Sequence, residues 1–456
     1  MITGFDYGTS NCAIGVVDQN SKNVRLVDLE LGKAFMPSTL YALDRELISE
    51  YVGRHIKDES IKQEFLKLRQ AQLGKASRVR HHEGFSVDEQ TMYFGKSAFE
   101  EYLALPSEGY FVKSPKSFLG ASGLRPESVQ FFEDIVCSMM IGVKSRAENQ
   151  LKDTITHTVI GIPVNFQGLN SSQSNKQALE ILKVAAKRAG FKHVEFLFEP
   201  IAAGLNFEEQ MVENKTVLVV DVGGGTTDCA MVKMGPNHKN KTDRESDFIG
   251  HSGERIGGND LDIQTAGKYL MPLFGMNSLL KNGLRMPTQP FWDAVRTNDV
   301  GAQAVFNERQ TGTHLDQLLR DTAEPQLFKH FIKIRNEKQN HHVVRSAEQA
   351  KISLSSDLST RVDLTYVADE AVCEINREQF AEAIERPLEK ITNLMREAIK
   401  QAGCKPDLIY VTGGSAQSPV IRQAIESELG NIQVLDGDHF GSVAAGLTVW
   451  ANRIFA

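Results

Sequence analysis

VLVVDVGGGTTDCA, residues 217–230, decides how the rest of the chain is read. Val217 to Val220 is a short apolar run rich in β-branched residues, which predicts a buried strand. Asp221 ends it, the glycines 223, 224 and 225 follow, and Val232 returns to apolar character after Thr226, Thr227 and Asp228. The pattern is strand, glycine turn, strand. Glycine runs let backbone N–H groups close around an anion without a Cβ in the way. A carboxylate at the strand end can hold a hydrated magnesium ion beside phosphates. Taken alone, the same stretch is also a hairpin whose glycines serve only the turn.

The N-terminus repeats the pattern. Asp6-Tyr7-Gly8-Thr9-Ser10-Asn11-Cys12-Ala13 parallels Asp221 through Ala230, with a turn two residues shorter. A second pair recurs, Ala202-Ala203-Gly204 and Ala444-Ala445-Gly446, each in a helix-like segment near the end of its half. Such repetition predicts two related lobes, whose glycine turns and acidic strand ends converge on one polyphosphate.

At 456 residues the chain is long enough for two or more domains with full cores. Hydrophobic residues make up 41% and charged residues 24%, as in a soluble globular protein. A formal net charge of −7 gives no sign of a nucleic-acid-binding surface. The five cysteines have no C-x-x-C spacing, and an odd count argues against a disulfide framework. The first residues read as a strand and not as a signal peptide, and no apolar run approaches the roughly 20 residues of a spanning helix. The expectation is a cytoplasmic protein without membrane or nucleic-acid partners.

Residues 61–80 read as a charged helix with a solvated basic face, next to surface histidines His81 and His82. YFVKSPKSFLG, 110–120, places Lys113 and Lys116 in an apolar, proline-broken segment. A lysine held near a terminal phosphate would stabilise developing charge; by composition these are loop lysines. Residues 127–150 read as a helix, TITHTVIGIPVNF as a strand ending at Pro163, and 171–190 as a helix with serine N-cap candidates and a glycine stop. HVEFLF is a strand, after which Glu199-Pro200 opens a helix. This strand–helix alternation predicts an α/β layer. Gly257-Gly258-Asn259-Asp260 begins another helix, as an anion site or as a plain N-cap. Residues 272–347 read as a helical insertion, in which His341 and His342 lack a ligand set. A helix over 346–356 carries Glu348 and Lys351 on one face. VDLTYV and AVCEIN form a strand pair, 377–403 one long helix, and DLIYVTGG a buried strand entering Gly413-Gly414-Ser415. That third glycine turn lies at the sheet edge where α/β proteins bind ligands, or simply enters a helix. The C-terminal SVAAGLTVWANRIFA reads as a docked helix.

Together GFDYGTSN, IGIPVNF leading to FEPIAAG, VVDVGGGTTD, IGGNDLD and YVTGGSAQSP resemble the actin-like ATPase superfamily. Most closely they resemble the ATPase domain of the heat shock protein 70 (DnaK) family, and within it the short bacterial YegD-type members. The resemblance covers nearly the whole chain. It implies a two-lobed α/β fold of duplicated ribonuclease H-like domains with inserted subdomains. Lobe I would be residues 1–213, with an insertion at about 38–128; lobe II would be 214–435, with an enlarged insertion at about 258–379. Residues 436–456 would be a helix returning to lobe I. It implies ATP or ADP with Mg²⁺ as ligands. Asp6, Gly8, Thr9, Ser10 and Asn11 then match the first phosphate turn, and Asp221, Gly223, Gly224, Gly225, Thr226 and Asp228 the second. Lys116 matches the catalytic lysine, with Lys113 the weaker candidate, and Glu199 the glutamate that orders metal and water. Asp6 and Asp221 would meet the metal through water, and Thr226 would act with them. Gly257 and Gly258 match a further phosphate-side turn, Glu348, Lys351 and Ser355 the ribose and adenine contacts, and Gly413, Gly414 and Ser415 the adenosine turn.

Three departures stand out. Ile352 and Gln417 occupy the positions where the family stacks adenine between two arginines, so weaker or less adenine-selective binding is expected. The insertion in lobe II is longer than the family's. The chain stops after the last hinge helix, so the expectation is that no peptide-binding domain follows. The leading expectation is an Hsp70-like, chaperone-type ATPase that hydrolyses ATP slowly and signals to an unknown protein partner or client. The alternatives are a small-molecule kinase of the same superfamily, or a nucleotide-bound scaffold or filament protein.

Overall fold

The computed structural model describes residues 1–18, 23–121, 125–166, 172–241, 244–437 and 441–456. Ser171, one of the N-cap candidates, lies outside the described residues. Two sheets carry the architecture, and their strand orders match. In the first, Ile2–Tyr7 pairs antiparallel with Asn11–Val17, which pairs antiparallel with Val24–Leu26; on its other side Ile2–Tyr7 runs parallel to His157–Ile162, and that strand to His193–Phe198. In the second, Lys215–Val222 pairs antiparallel with Thr227–Met234, which pairs with Phe248–Glu254; on its other side it runs parallel to Leu408–Thr412 and then Val434–Asp436. Each sheet is thus built on a three-strand meander followed by two parallel strands entered through helices, and the first adds Met36–Pro37 beside Asn11–Val17. Residues 217–220 are fully buried, as a continuous apolar run rich in β-branched residues leads one to expect of a central strand.

The helices Glu199–Glu208 and Ser442–Phe455 cross at their small residues. A Cβ on Gly446 would collide with the backbone of Ala202, so glycine there is what lets the two backbones touch. The C-terminal helix also lies against the first sheet, where Gly4 and Gly15 leave room for Thr448.

A further small sheet has Thr39–Ala42 paired with both Met92–Phe94 and Tyr110–Lys113. The charged stretch 61–80 is not one solvated helix. Helices Glu59–Leu68 and Gln70–Glu83 meet at Arg69. Its guanidinium is buried against Glu133 at 2.8 Å and Asp134 at 3.0 Å on the helix Pro126–Leu151. Two other expectations are corrected. The strand opposite Val372–Asn376 is Ser359–Asp363, and LTYV forms the connection, closed by Leu364 N donating to Ala371 O at 2.9 Å. The helix over 377–403 is interrupted at Ile384, giving Arg377–Ala383 and Glu385–Ala402. Pro387, near the start of the second piece, has no N–H to continue the first. Residues 272–347 are helical, with Phe291 stacked on Phe331 at 4.1 Å in their core.

Candidate functional site

Both hairpins place an aspartate at the open end of a central strand. Asp6 is opposite Ala13 in one register, and Asp221 is opposite Asp228 in the other. Lys116 reaches the same place from a short 3₁₀ turn, Pro115–Phe118. Its Nζ donates to Gly161 O at 3.1 Å and pairs with Glu199, the first residue of the helix Glu199–Glu208. Asp228 Oδ1 accepts from the backbone N–H of Val164 at 2.7 Å, which ties lobe II to lobe I at this point.

The electrostatics of this cluster are dominated by crowding of like charge. Burial, then the Glu199 carboxylate, push Asp6 up to about 7 against the pull of Lys116. Burial and Glu199 push Asp228 up to about 8, although the Val164 N–H and the Thr226 hydroxyl favour its anion. Asp221 is driven well above its ordinary range by burial and by Glu199, Asp228 and Asp6. Among the described residues four carboxylates thus share the Lys116 ammonium in a buried site, an arrangement that calls for further positive charge. The available donors are all oxygens, the set magnesium prefers. Among the described residues no three acidic, histidine or cysteine groups close on a single ion position. The crowded carboxylates leave this buried site short of positive charge.

The glycine turns meet above these carboxylates. A Cβ on Gly224 would collide with Ser10 Oγ, and one on Gly225 with Thr9. The first and second turns are thus in direct contact across the lobes. Gly8 is similarly closed against Asn11 O. Gly223 O accepts from Gly258 N at 3.0 Å and from Ser415 Oγ at 3.0 Å, and Gly224 O from Asn259 N at 2.7 Å. Gly257, Gly258 and the third turn therefore pack onto the second. Gly413 adopts φ 88° beside Asp221, a left-handed conformation that favours glycine; Gly414 opens the short 3₁₀ turn that carries Ser415.

On the far side, Lys351 Nζ donates to Gly258 O at 3.1 Å and lies 2.7 Å from Asp262. Ser355 sits one turn along, its hydroxyl on Lys351 O. Glu348 pairs with Lys113 at 2.8 Å and Arg345 at 2.9 Å. Burial raises the Glu348 carboxyl, but Lys113, Arg345 and Lys351 outweigh it and hold it well below its ordinary range. The two candidate lysines are thereby separated: Lys116 lies among the carboxylates, and Lys113 across the mouth from them. Ile352 is 54% exposed, and Gln417 is exposed.

Reading the sequence alone misses three members of this site, Ser114, Asp262 and Val164, and reads Asp260 only as a candidate helix cap. Ser114, in the left-handed region at φ 57°, accepts from Asn259 Nδ2 at 3.1 Å. Asp260 reaches back to accept from Gly257 N at 2.9 Å, so it closes the helix start while Asn259 faces lobe I. Asp262 backs Lys351, and Val164 supplies its N–H to Asp228. The only signals were the acidic spacing of NDLD and the position of Val164 just after Pro163.

Comparison with known proteins bears on this site. The family model described as "Hsp70 protein" matches residues 122–271 and 302–452. The proteins named "Chaperone protein DnaK" in two strains of Thermus thermophilus are each 24% identical over 439 residues, covering 94% of this chain and 56% of the relative. The chain thus spans little more than half the length of these curated relatives. The family match, the doubled sheet and the two-lobed actin-like ATPase fold agree: the chain belongs to the Hsp70 family.

Proposed function

We propose that this chain is an Hsp70-like, chaperone-type ATPase that binds ATP with Mg²⁺, hydrolyses it slowly and passes lobe opening and closing to a partner protein, in the cytoplasm. One observation carries the reading. Asp6, Glu199, Asp221 and Asp228 converge with Lys116 beneath two glycine turns drawn from opposite lobes. Such a site surrounds a polyphosphate with N–H groups and leaves its acidic floor in need of a cation.

Asp6 and Asp221 would hold hydrated magnesium, which when bound neutralises phosphate charge. Lys116, fixed by Glu199 and Gly161 O, supplies a positive charge that needs no reorganisation as charge develops on the phosphoryl group. Glu199, oriented by Lys116, is the carboxylate available to position water. Thr226 keeps Asp228 oriented through its hydroxyl. Contact between Gly224 and Ser10 makes closure sensitive to what lies between the turns. Glu348, Lys351, Ser355 and the third turn would take the nucleoside. Ile352 and Gln417 offer it no cationic stacking, which favours relaxed base selectivity. The test is steady-state phosphate release from ATP, with a screen for sugar and polyol phosphorylation alongside. Mg²⁺-dependent release that Asp221→Asn abolishes supports the reading. Wild-type rates in Asp221→Asn, or transfer to a polyol in place of water, would refute it.

A further inference from the structure

The helix Asn340–Ser356 and the residue two places before it present Lys338, His341, Arg345 and Glu348 toward lobe I. Steps of four and three residues keep His341, Arg345 and Glu348 on one face of the helix, and Lys338, in the left-handed region at φ 51°, stands just before it. Each meets a lobe I group. Tyr102 Oη donates to Lys338 O at 2.6 Å, and Lys338 Nζ donates to Ser107 O at 3.0 Å. The His341 ring stands edge-on to Tyr102 and Phe111, with centroids 5.9 and 5.3 Å away. The Arg345 guanidinium lies 5.2 Å from the Phe99 ring centre, and Glu348 takes Lys113. This is the outer closure of the cleft, and His341 is at its centre. Its Nδ1 is buried and has no hydrogen-bond partner among the described residues.

Among the described residues, no carboxylate and no acceptor for Nδ1 faces the ring, and the charge that acts on it is that of Lys113. From lobe I, the strand Tyr110–Lys113 brings Lys113, whose charge acts on the ring. The helix Lys96–Ala104 brings the Tyr102 and Phe99 rings, while its Glu100 and Glu101 act on Glu30 and Tyr41 instead. On its own helix Glu348 is committed to Lys113 and Arg345, and His342 stacks on Tyr366 at 3.6 Å. Behind it, Asp262 faces Lys351, and Asp293 accepts from Gln289 Nε2 at 2.7 Å. Protonation would therefore set a third cation between Lys338 and Arg345, opposite Lys113.

We propose that His341 makes the contact between the two lobes a proton-sensitive latch, held while its imidazole is neutral and released when the imidazole takes up a proton. Burial, reinforced by Lys113, lowers His341 from its ordinary 6.5 to about 3 in the closed form. A histidine depressed in one state stabilises that state above its ordinary pKa, and the stabilisation is lost as pH falls below it. With 6.5 when the lobes part and about 3 when they are latched, the closing constant falls about tenfold between pH 7.5 and 5.5.

The test uses the full chain without nucleotide, so it stands apart from the ATPase reading. Probes are attached through Asp88→Cys and Lys329→Cys, exposed positions in the two insertions, with Cys373→Ser and Cys404→Ser to remove competing thiols. Interlobe distance populations are measured at pH 7.5 and 5.5. The ratio of parted to latched molecules should rise about tenfold on acidification. His341→Phe keeps a ring in the slot and should abolish the response, as should the smaller, non-titrating His341→Gln. Tyr102→Phe weakens the latch at both pH values and should keep the tenfold response, which makes the ratio measurable even where the parent chain is almost wholly latched. A ratio unmoved by pH in both the parent and Tyr102→Phe, or a full response in His341→Phe, would overturn the proposal.

Discussion

Replacing Asp228 by asparagine should make the free protein more stable while removing its activity. The carboxyl sits fully buried between Glu199 and Asp221, and burial with that repulsion pushes it from 3.8 up to about 8. A group whose pKa rises on folding weakens the fold as pH climbs from its unfolded toward its folded value. Each unit is about 1.4 kcal/mol, but the strain is shared among coupled carboxylates, so about 2–4 kcal/mol is the reasonable share of Asp228. Asparagine keeps an oxygen for the Val164 N–H and removes the charge. The assay is thermal unfolding of parent and Asp228→Asn at pH 5 and pH 8, with and without Mg²⁺ and ATP. At pH 8 the free variant should melt several degrees above the parent, at pH 5 the gap should shrink, and ligand should narrow it from the parent's side. A variant that melts below the parent at pH 8 would refute the view that this cluster is held together against its own charge.

Three further outcomes follow from the geometry. Gly446→Ala gains about 1 kcal/mol of helix propensity, yet should lose about 1–3 kcal/mol net in chemical denaturation because its methyl strikes the Ala202 backbone. Arg69→Ala should destabilise by about 2–4 kcal/mol, since it leaves the buried Asp134 carboxylate with the Ser49 hydroxyl and Arg188 at 3.7 Å but without its closest cation; Arg69→Ala with Asp134→Ala should recover part of that loss. Ile352→Arg with Gln417→Arg should tighten ATP binding by about tenfold through planar cationic stacking, read by calorimetry against GTP as the comparison base.

The parts of the fold legible from sequence were those fixed by short-range rules. A short apolar run rich in β-branched residues, such as 217–220, reads as a buried strand, and the parallel between Asp6–Ala13 and Asp221–Ala230 announced the second sheet. The glycine turns were legible because each glycine answers a close approach, as Gly224 does to Ser10. What remained hidden depended on partners distant in sequence. Arg69 reads as one more surface cation until Glu133 and Asp134 arrive from a helix about 65 residues away. LTYV alternates like a strand, but Asp363 pairs with Val372, and the turn must fall where the register ends. Lys113 and Lys116 are equivalent by composition; only the 3₁₀ turn sends one to Glu199 and the other to Glu348.

The most direct test of the central claim is single-turnover hydrolysis of Mg²⁺-ATP by the purified chain beside Lys116→Ala, with binding of the nucleotide measured separately. The account predicts that both proteins bind, that the parent releases phosphate slowly, and that the variant releases none above background, because among the described residues Lys116 supplies the positive charge shared by four carboxylates. Equal turnover in the two proteins would contradict it.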